Sequence, residues 1–465
     1  MAKLFFATWG NPSLWRYAHY YMEGGDEARG FSTLNLLSKV ENPDSVTIFV
    51  LDSLAAEDGG AKLCNYDHVV QTARNFASRY LCGAGADIVV LPGLMSRYWN
   101  PPKTSFEFKG ELSDYRMLVL YEIFRRCLEA GRDSGQSDLE LALDISHGSN
   151  YMPTFTFDAF QESAAMCSVA LKKSVKIKVY QSDPYPQGPN YEKLGRNKEN
   201  PCIPRDATVD PPRLRCALVA SRRVYQWDLA RYVGYPSESS KKLLSDMRGF
   251  PGGDIRKLIQ DWCLPLLGAY RLGALVQLAV LAKAAPKGEM ERIVELAINH
   301  WKNMRVVETT NNKVIVQGKT KFLEGFRILL HAIAVLKGSL RLLGVQEGAC
   351  RGLEECTVTF GELNKLTTIV EGSKVVAILV DREMSKLDDK RKNMTGVWRP
   401  YSEIIGQPQG SKGDEGVEER DFIAHAGFHG DFLEGRLREG EPELRMRAEK
   451  LERTLEILRR PVLVE

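Results

Sequence analysis

Five short apolar runs in the first 180 or so residues, each stopped by polar or turn-forming residues, constrain this chain more than any other feature. They are Leu4 to Ala7, Val46 to Leu51, Ile88 to Leu91, Leu139 to Ile145 and Val175 to Tyr180. Unbroken apolar runs of strand length, alternating with helical stretches, build a parallel sheet covered on both faces. An α/β Rossmann-like domain is therefore expected. Ligands of such sheets bind beyond the carboxyl ends of the strands. The residues that end the runs would gather there: Thr8-Trp9-Gly10-Asn11, Asp52-Ser53, Pro92-Gly93, Ser146-His147-Gly148 and Gln181-Ser182-Asp183.

Seven prolines between Asp183 and Pro212 interrupt regular structure and mark a boundary. The reading is a ligand-sensing domain over 1–185, a Pro-rich linker over 186–212, a helical middle domain over 213–345 and a helical C-terminal domain over 346–465. Leu272 to Ala285 and Phe322 to Leu336 are clear apolar helices. Val306 to Gln317 and Cys356 to Val380 read as strand pairs inserted among them, the first turning at Asn311-Asn312 and the second at a Gly-Ser turn. Gly406 to Glu419 reads as a mobile loop leading into a helix near Glu419. A last helix is expected from Pro442 to Arg460, with Leu444, Met446, Leu451, Leu455 and Leu458 as its apolar stripe.

Composition sets outer limits. With 465 residues, 44% of them apolar, the chain fills two or three cores and is not disordered. Lys and Arg exceed Asp and Glu by only three, so any nucleic-acid contact must be local. No apolar run reaches the roughly twenty residues that cross a bilayer. Met1 to Phe5 runs into a strand instead of a cleavable signal, which makes the expected location the cytoplasm and the membrane no partner. Nine cysteines without a CxxC pair read as reduced thiols, with Cys350 and Cys356 the only close pair and not at a metal-knuckle spacing.

The sharpest local signal is Arg420-Asp421-Phe422-Ile423-Ala424-His425-Ala426-Gly427-Phe428. Cleavage of RNA by its own 2′-hydroxyl requires stabilisation of a phosphorane whose charge grows, and a proton for the departing 5′-oxygen. Arginine suits the first task because its fork matches phosphate oxygens and stays charged. Histidine suits the second because it titrates near neutrality. Asp421 lies one helical turn before His425 and would orient the imidazole. Small Ala424, Ala426 and Gly427 let another backbone approach. On spacing alone the same residues read first as a surface pair beside a core helix, and it is the context that points to chemistry. Asp421, His425 and His429 at i, i+4 and i+8 are also a metal-binding pattern, which would make a metal-dependent hydrolase. The favoured reading needs no metal or other cofactor.

A second constellation, Asp144-Ile145-Ser146-His147-Gly148-Ser149-Asn150, ends a strand and precedes a helix starting at Pro153. Free N–H groups at such a helix start favour a phosphate, Gly148 allows close approach, and His147 or Asn150 can reach a base or ribose. As structure alone it is a turn without a ligand. Trp9-Gly10-Asn11-Pro12 would face the same crevice, with Trp9 either a stacking plane or a buried plug of the sheet. A GxGxxG motif after the first strand and a P-loop are both missing, and Gly83-Ala84-Gly85-Ala86 precedes a strand instead of following one. Lys390-Arg391-Lys392 with Trp398-Arg399 forms a basic stretch suited to RNA or simply solvated.

Taken together, these residues resemble the CARF–HEPN ribonucleases associated with type III CRISPR systems. The likeness rests on the Asp144 to Pro153 strand-loop, the Trp9 to Pro12 loop and the Arg420 to His425 spacing, and it covers nearly the whole chain. It implies a C-terminal HEPN domain that cuts single-stranded RNA without metal, leaving a 2′,3′-cyclic phosphate or 3′-phosphate and a 5′-hydroxyl. It implies an activator, a cyclic oligoadenylate and usually cyclic tetra-adenylate, bound across a homodimer or an assembly of dimers. By position, Arg420 and His425 would be catalytic, and Trp9, Gly10, Asn11, Ser146, His147, Gly148, Ser149 and Asn150 would hold the activator. Asp421 stands where many members have Asn, which adds a negative charge near a phosphate. The competing class is a ligand-controlled DNA-binding regulator whose recognition helix would be Ser237 to Arg248, with Lys241, Lys242 and Arg248.

Overall fold

In the computed structural model the chain divides into two units, one of residues 1–164, 174–224 and 300–321 and the other of 165–173, 225–299 and 322–465. The structure describes residues 2–58, 63–99, 104–133, 138–248, 250, 252–406 and 415–464. The expected mobile loop at 406–419 falls largely outside the described residues.

The first unit is the expected α/β domain. Its strands are β1 (Ala2–Trp9), β2 (Ala18–Tyr21), β3 (Glu27–Gly30), β4 (Ser45–Leu51), β5 (Asp87–Leu91), β6 (Leu94–Trp99), β7 (Thr104–Lys109), β8 (Leu139–His147), β9 (Val175–Ser182) and β10 (Arg213–Val224). The main sheet runs β3-β2-β10-β9-β8-β1-β4-β5. The five strands β9-β8-β1-β4-β5 are parallel to one another and run out to the β5 edge. These are the five apolar runs: β1, β4 and β8, buried on both faces, need no alternation, as the enclosed Phe5, Phe6, Phe49, Val50 and Leu141 show, while β9 alternates buried Val175, Ile177 and Val179 with half-buried lysines. Helices α1 (Leu34–Glu41), α2 (Tyr66–Ser78), α3 (Leu112–Asp133) and α4 (Met152–Leu171) connect them.

The structure revises the expected boundaries. Residues 186–212 are not a linker: Tyr17 N–H donates to Leu194 O, Arg16 bridges Gly195, and Cys82 is joined to Cys202 by a disulfide. A second disulfide joins Cys350 to Cys356, so four of the nine cysteines are not reduced thiols. The first of these spans 120 residues and leaves no sequence signature. Strand β10 returns to the main sheet, antiparallel to β9, instead of opening a helical domain.

The expected hairpin forms as β12 (Arg305–Thr309) and β13 (Lys313–Gly318), but it completes the first unit by adding β13 parallel to β7 in a β12-β13-β7-β6 sheet. Arg305 anchors it. Its guanidinium lies 3.3 Å from the enclosed Asp52 carboxylate and packs over the rings of Tyr66 and Trp301.

The second unit is mainly helical. It contains β11 (Tyr235–Pro236), α5 (Gly252–Leu258), α6 (Leu264–Leu272), α7 (Leu275–Lys283), α8 (Glu289–Asn303), α9 (Glu324–Leu343), β14 (Val358–Thr359), α10 (Phe360–Leu366), α11 (Lys374–Lys390), β15 (Arg399–Pro400), α12 (Tyr401–Ile405), α13 (Glu415–Ala424), β16 (Leu433–Arg438), β17 (Glu441–Met446), α14 (Leu451–Arg459) and β18 (Leu463–Val464). The last four residues of α8 cluster with the first unit.

Three expectations fail here. Cys356 to Val380 is not a strand pair: apart from the two-residue β14 it forms α10, capped by a Thr359/Glu362 capping box, and α11, which starts where the Ser373 hydroxyl accepts the Val376 N–H. Pro442 to Arg460 is not one helix. Pro442, Leu444 and Met446 are buried at every second position, which is strand spacing, and α14 begins only at Leu451. Ser237 to Arg248 holds a single 3-10 turn at Ser239–Lys241, too short to read a DNA groove. Among the described residues no helix is long and apolar enough to cross a membrane.

Candidate functional site

In the first unit the carboxyl ends of β1 and β8 meet with a register shift after Ala7 and Asp144, which turns the two loops toward each other. Gly10 N–H donates to His147 O at 2.7 Å, and a Cβ on Gly10 would lie 2.1 Å from Ser149 Oγ. A Cβ on Gly148 would meet Thr8 Oγ1 at 2.6 Å and the Pro153 ring at 2.9 Å. Both glycines permit a close approach that no side chain allows.

The enclosed Asp144 carboxylate organises the β8 loop, accepting from Ser146 N at 2.9 Å and from the hydroxyls of Ser146 and Thr33 at 2.5 Å. Ser146 Oγ in turn accepts the Ser182 N–H at 2.8 Å. His147 is committed as well. Its Nε2 accepts the Thr33 N–H at 3.2 Å, so in the neutral ring the proton sits on Nδ1. Burial pushes its pKa below the usual histidine range, against the pull of Asp144 and with the help of Arg196.

Two cavities flank these loops. One of about 900 Å³ is lined by Trp15, Arg16, Tyr20, Ser146, His147, Tyr185 and the chain from Gln181 to Pro189, and the other, of about 230 Å³, by Gly10, Asn11, Glu57, Arg97, Ser149, Asn150 and Tyr151. Six of the eight expected binding residues are thus shared between two hollows, and Trp9 and Gly148 line neither. Trp9 offers no stacking plane, since it is 1% exposed; Trp15, unremarked in the sequence, packs edge-on against it at 5.0 Å and over His147 at 4.6 Å. Asn11 Oδ1 is occupied by the N–H and hydroxyl of Ser13.

Arg196 packs on Phe31, a residue that lines the larger cavity. Its Nε donates to Pro12 O at 2.7 Å and Nη1 to Pro201 O at 2.5 Å, between the rings of Phe31 and Tyr80. It has no carboxylate partner among the described residues, and burial brings its pKa down to about 10. A buried cation without a counter-ion favours anions nearby.

In the second unit α13 carries Arg420 and Asp421 on its exposed side and buries Phe422 against Phe432. The helix stops at Ala424. Ala426 and Gly427 adopt φ of +47° and +77°, and Gly427 N–H reaches back to Phe422 O at 2.9 Å, a left-handed stop that leaves His425 at the helix end. His429 therefore does not continue the face of Asp421 and His425. Its Nδ1 accepts the Asp431 N–H, and burial lowers its pKa.

The group that touches His425 is one the sequence did not suggest. His425 Nδ1 lies 2.8 Å from Oε1 of Glu383 on α11, whose side chain is 2% exposed. A carboxylate only accepts, so Nδ1 carries the hydrogen and Nε2 is the ring nitrogen left for other work. Asp421, expected to orient the ring, is exposed and makes no side-chain hydrogen bond among the described residues. Arg420 is likewise exposed, with no ion pair among the described residues. Gly427 is fixed from the other side, because Gln277 Nε2 on α7 donates to its carbonyl at 2.9 Å.

Residues 4–184 match the model of the family described as CRISPR system endoribonuclease Csx1, CARF domain, and residues 373–450 match that of the Csx1 HEPN domain. The chain belongs to the CRISPR-associated CARF–HEPN family. It is 32% identical over 203 residues to the CRISPR system endoribonuclease Csx1 of Methanocaldococcus jannaschii, a stretch that is 43% of this chain and 39% of that protein. The CARF match contains the loops after β1 and β8, and stops short of Arg196 and Cys202. Within the HEPN match fall Glu383, Arg420 and His425.

Proposed function

We propose that this protein is a single-stranded RNA endoribonuclease that works without metal and is switched on by a cyclic oligoadenylate, in type III CRISPR defence. The observation that carries the reading is the His425 site: an imidazole fixed through Nδ1, at the end of a helix whose preceding turn presents an exposed arginine. Arg420 would hold the non-bridging oxygens of the scissile phosphate. As the 2′-oxygen bonds to phosphorus and the bond to the 5′-oxygen breaks, His425 Nε2 would give the 5′-oxygen its proton, while the 2′-hydroxyl proton passes to solvent. The products are a 2′,3′-cyclic phosphate and a 5′-hydroxyl.

One Arg/His pair is a sparse site, and a homodimer would supply two around one phosphate. In the CARF unit, support for an adenylate activator comes from the 900 Å³ cavity, with Trp15 and Tyr185 as aromatic surfaces and Arg16 as a cation. Cyclic tetra-adenylate is the first ring size to test. The experiment is cleavage of labelled single-stranded RNA in excess chelator, with and without that activator, comparing the parent with Arg420→Ala and His425→Ala. Activator-dependent cutting that survives chelation and is lost in both variants is the expected result. A parent inert with every ring size, or variants as fast as the parent, refutes it.

A further inference from the structure

We infer that Glu383 is a positioning residue for RNA cleavage, holding His425 in the tautomer and orientation that present Nε2 to the scissile phosphate. The inference rests on the Arg420/His425 reading above and adds to it a group 42 residues away in sequence.

The geometry is specific. Glu383 sits on α11 with its side chain 2% exposed and its Oε1 at 2.8 Å from Nδ1, while the imidazole it holds remains 24% exposed. A carboxylate selects the Nδ1–H tautomer, which leaves Nε2 bare in the neutral ring and available to carry the transferable proton in the cationic one. Without that contact the ring can turn over and bring the wrong nitrogen, or the wrong protonation, to the phosphate.

The energetics argue that this carboxylate is not there for packing. Taking it out of water is costly unless a partner offsets the loss. Its second oxygen, Oε2, is buried with no hydrogen-bond partner, and the nearest cation, Lys386 Nζ, is 3.9 Å away. Buried Tyr401 is near enough for the Glu383 charge to help push its hydroxyl pKa up, after burial itself, yet that hydroxyl has no partner either. Among the described residues, His425 is the one short contact of Glu383. A negative charge so poorly served elsewhere fits a site whose partner becomes positive during a reaction cycle.

The test uses the full chain with saturating cyclic tetra-adenylate and compares the parent with Glu383→Gln, which keeps size and shape and removes the charge. The expected result is a kcat lower by about 10- to 100-fold with little change in KM and an unchanged melting temperature. Long-range proton–nitrogen spectra of histidine-labelled protein should show His425 as the Nδ1–H tautomer in the parent and a mixture in the variant. A parent that cuts, with a folded Gln variant equally fast, overturns the role of Glu383 alone. So does an Nε2–H tautomer in the parent. A parent that cuts nothing with any ring size fails before any Glu383 variant is compared, and overturns the Arg420/His425 reading instead.

Discussion

Replacing Gly427 by alanine tests how firmly the turn behind His425 is held. At φ +77° an L side chain costs about 1–2 kcal/mol relative to glycine. The added Cβ would also lie 2.4 Å from Gln277 Oε1 and 2.7 Å from Ala274 Cβ, distances that require movement. Gln277 is fully enclosed and its amide already holds the Gly427 carbonyl, so it cannot swing aside without breaking that bond. Overpacking of this kind costs about 1–3 kcal/mol. The expected loss is therefore about 2–5 kcal/mol, confined to the second unit, together with loss of cleavage because His425 leaves Glu383. Urea unfolding read by hydrogen exchange of peptides spanning 422–432 would measure it. A loss under about 1 kcal/mol, the ordinary cost of a point substitution, would refute the account of a rigid turn.

Four further outcomes are expected. Asp421→Asn should change cleavage by no more than about twofold, as for an exposed side chain without partners; a large loss in a kinetic assay would restore the orienting role to Asp421. Breaking the Cys82–Cys202 link with a Cys202→Ser variant should destabilise the first unit by about 2–5 kcal/mol through freed chain entropy, and adding a thiol reductant to the parent should reproduce the loss in urea unfolding. His147 has a folded pKa below its unfolded one, so the unfolded chain binds more protons, stability is present above about pH 6.5 and falls as pH drops below it; His147→Gln should flatten that acid limb. Asp52 acts with the opposite sign: burial raises its pKa to about 6, so the folded chain binds more protons and stability falls as pH rises from about 4 to 6, a slope that Asp52→Asn should remove.

What the sequence revealed and what it hid follow from the range of the interactions. β1, β4 and β8 were legible because both faces are largely buried, which leaves an apolar run in one stretch of chain, whereas β9 showed itself by the alternation of Val175, Ile177 and Val179 with lysines. β10 was missed because its burial alternates with arginines and other exposed residues, and its role depends on pairing with β9. The Val375 to Val380 run looks like a strand through its branched side chains, yet the Ser373 cap and the buried Val380, Glu383, Met384 and Leu387 at helical spacing prevail. At the candidate site, Arg420 and His425 were visible as local spacing. Glu383 was not, since nothing within α11 marks which of its carboxylates turns inward. For the same reason Trp15 went unnoticed beside the more conspicuous Trp9.

The hairpin that carries Arg305 has a consequence for the gene. Because the first unit is finished only by residues 300–321, a ribosome must make roughly two thirds of the chain before the Asp52 carboxylate meets its cation. No single crossover in the coding sequence can exchange one unit for another intact. Recombination that trades one unit for another between chains of this architecture would have to cut at five places at once, which should keep the two units together in descent.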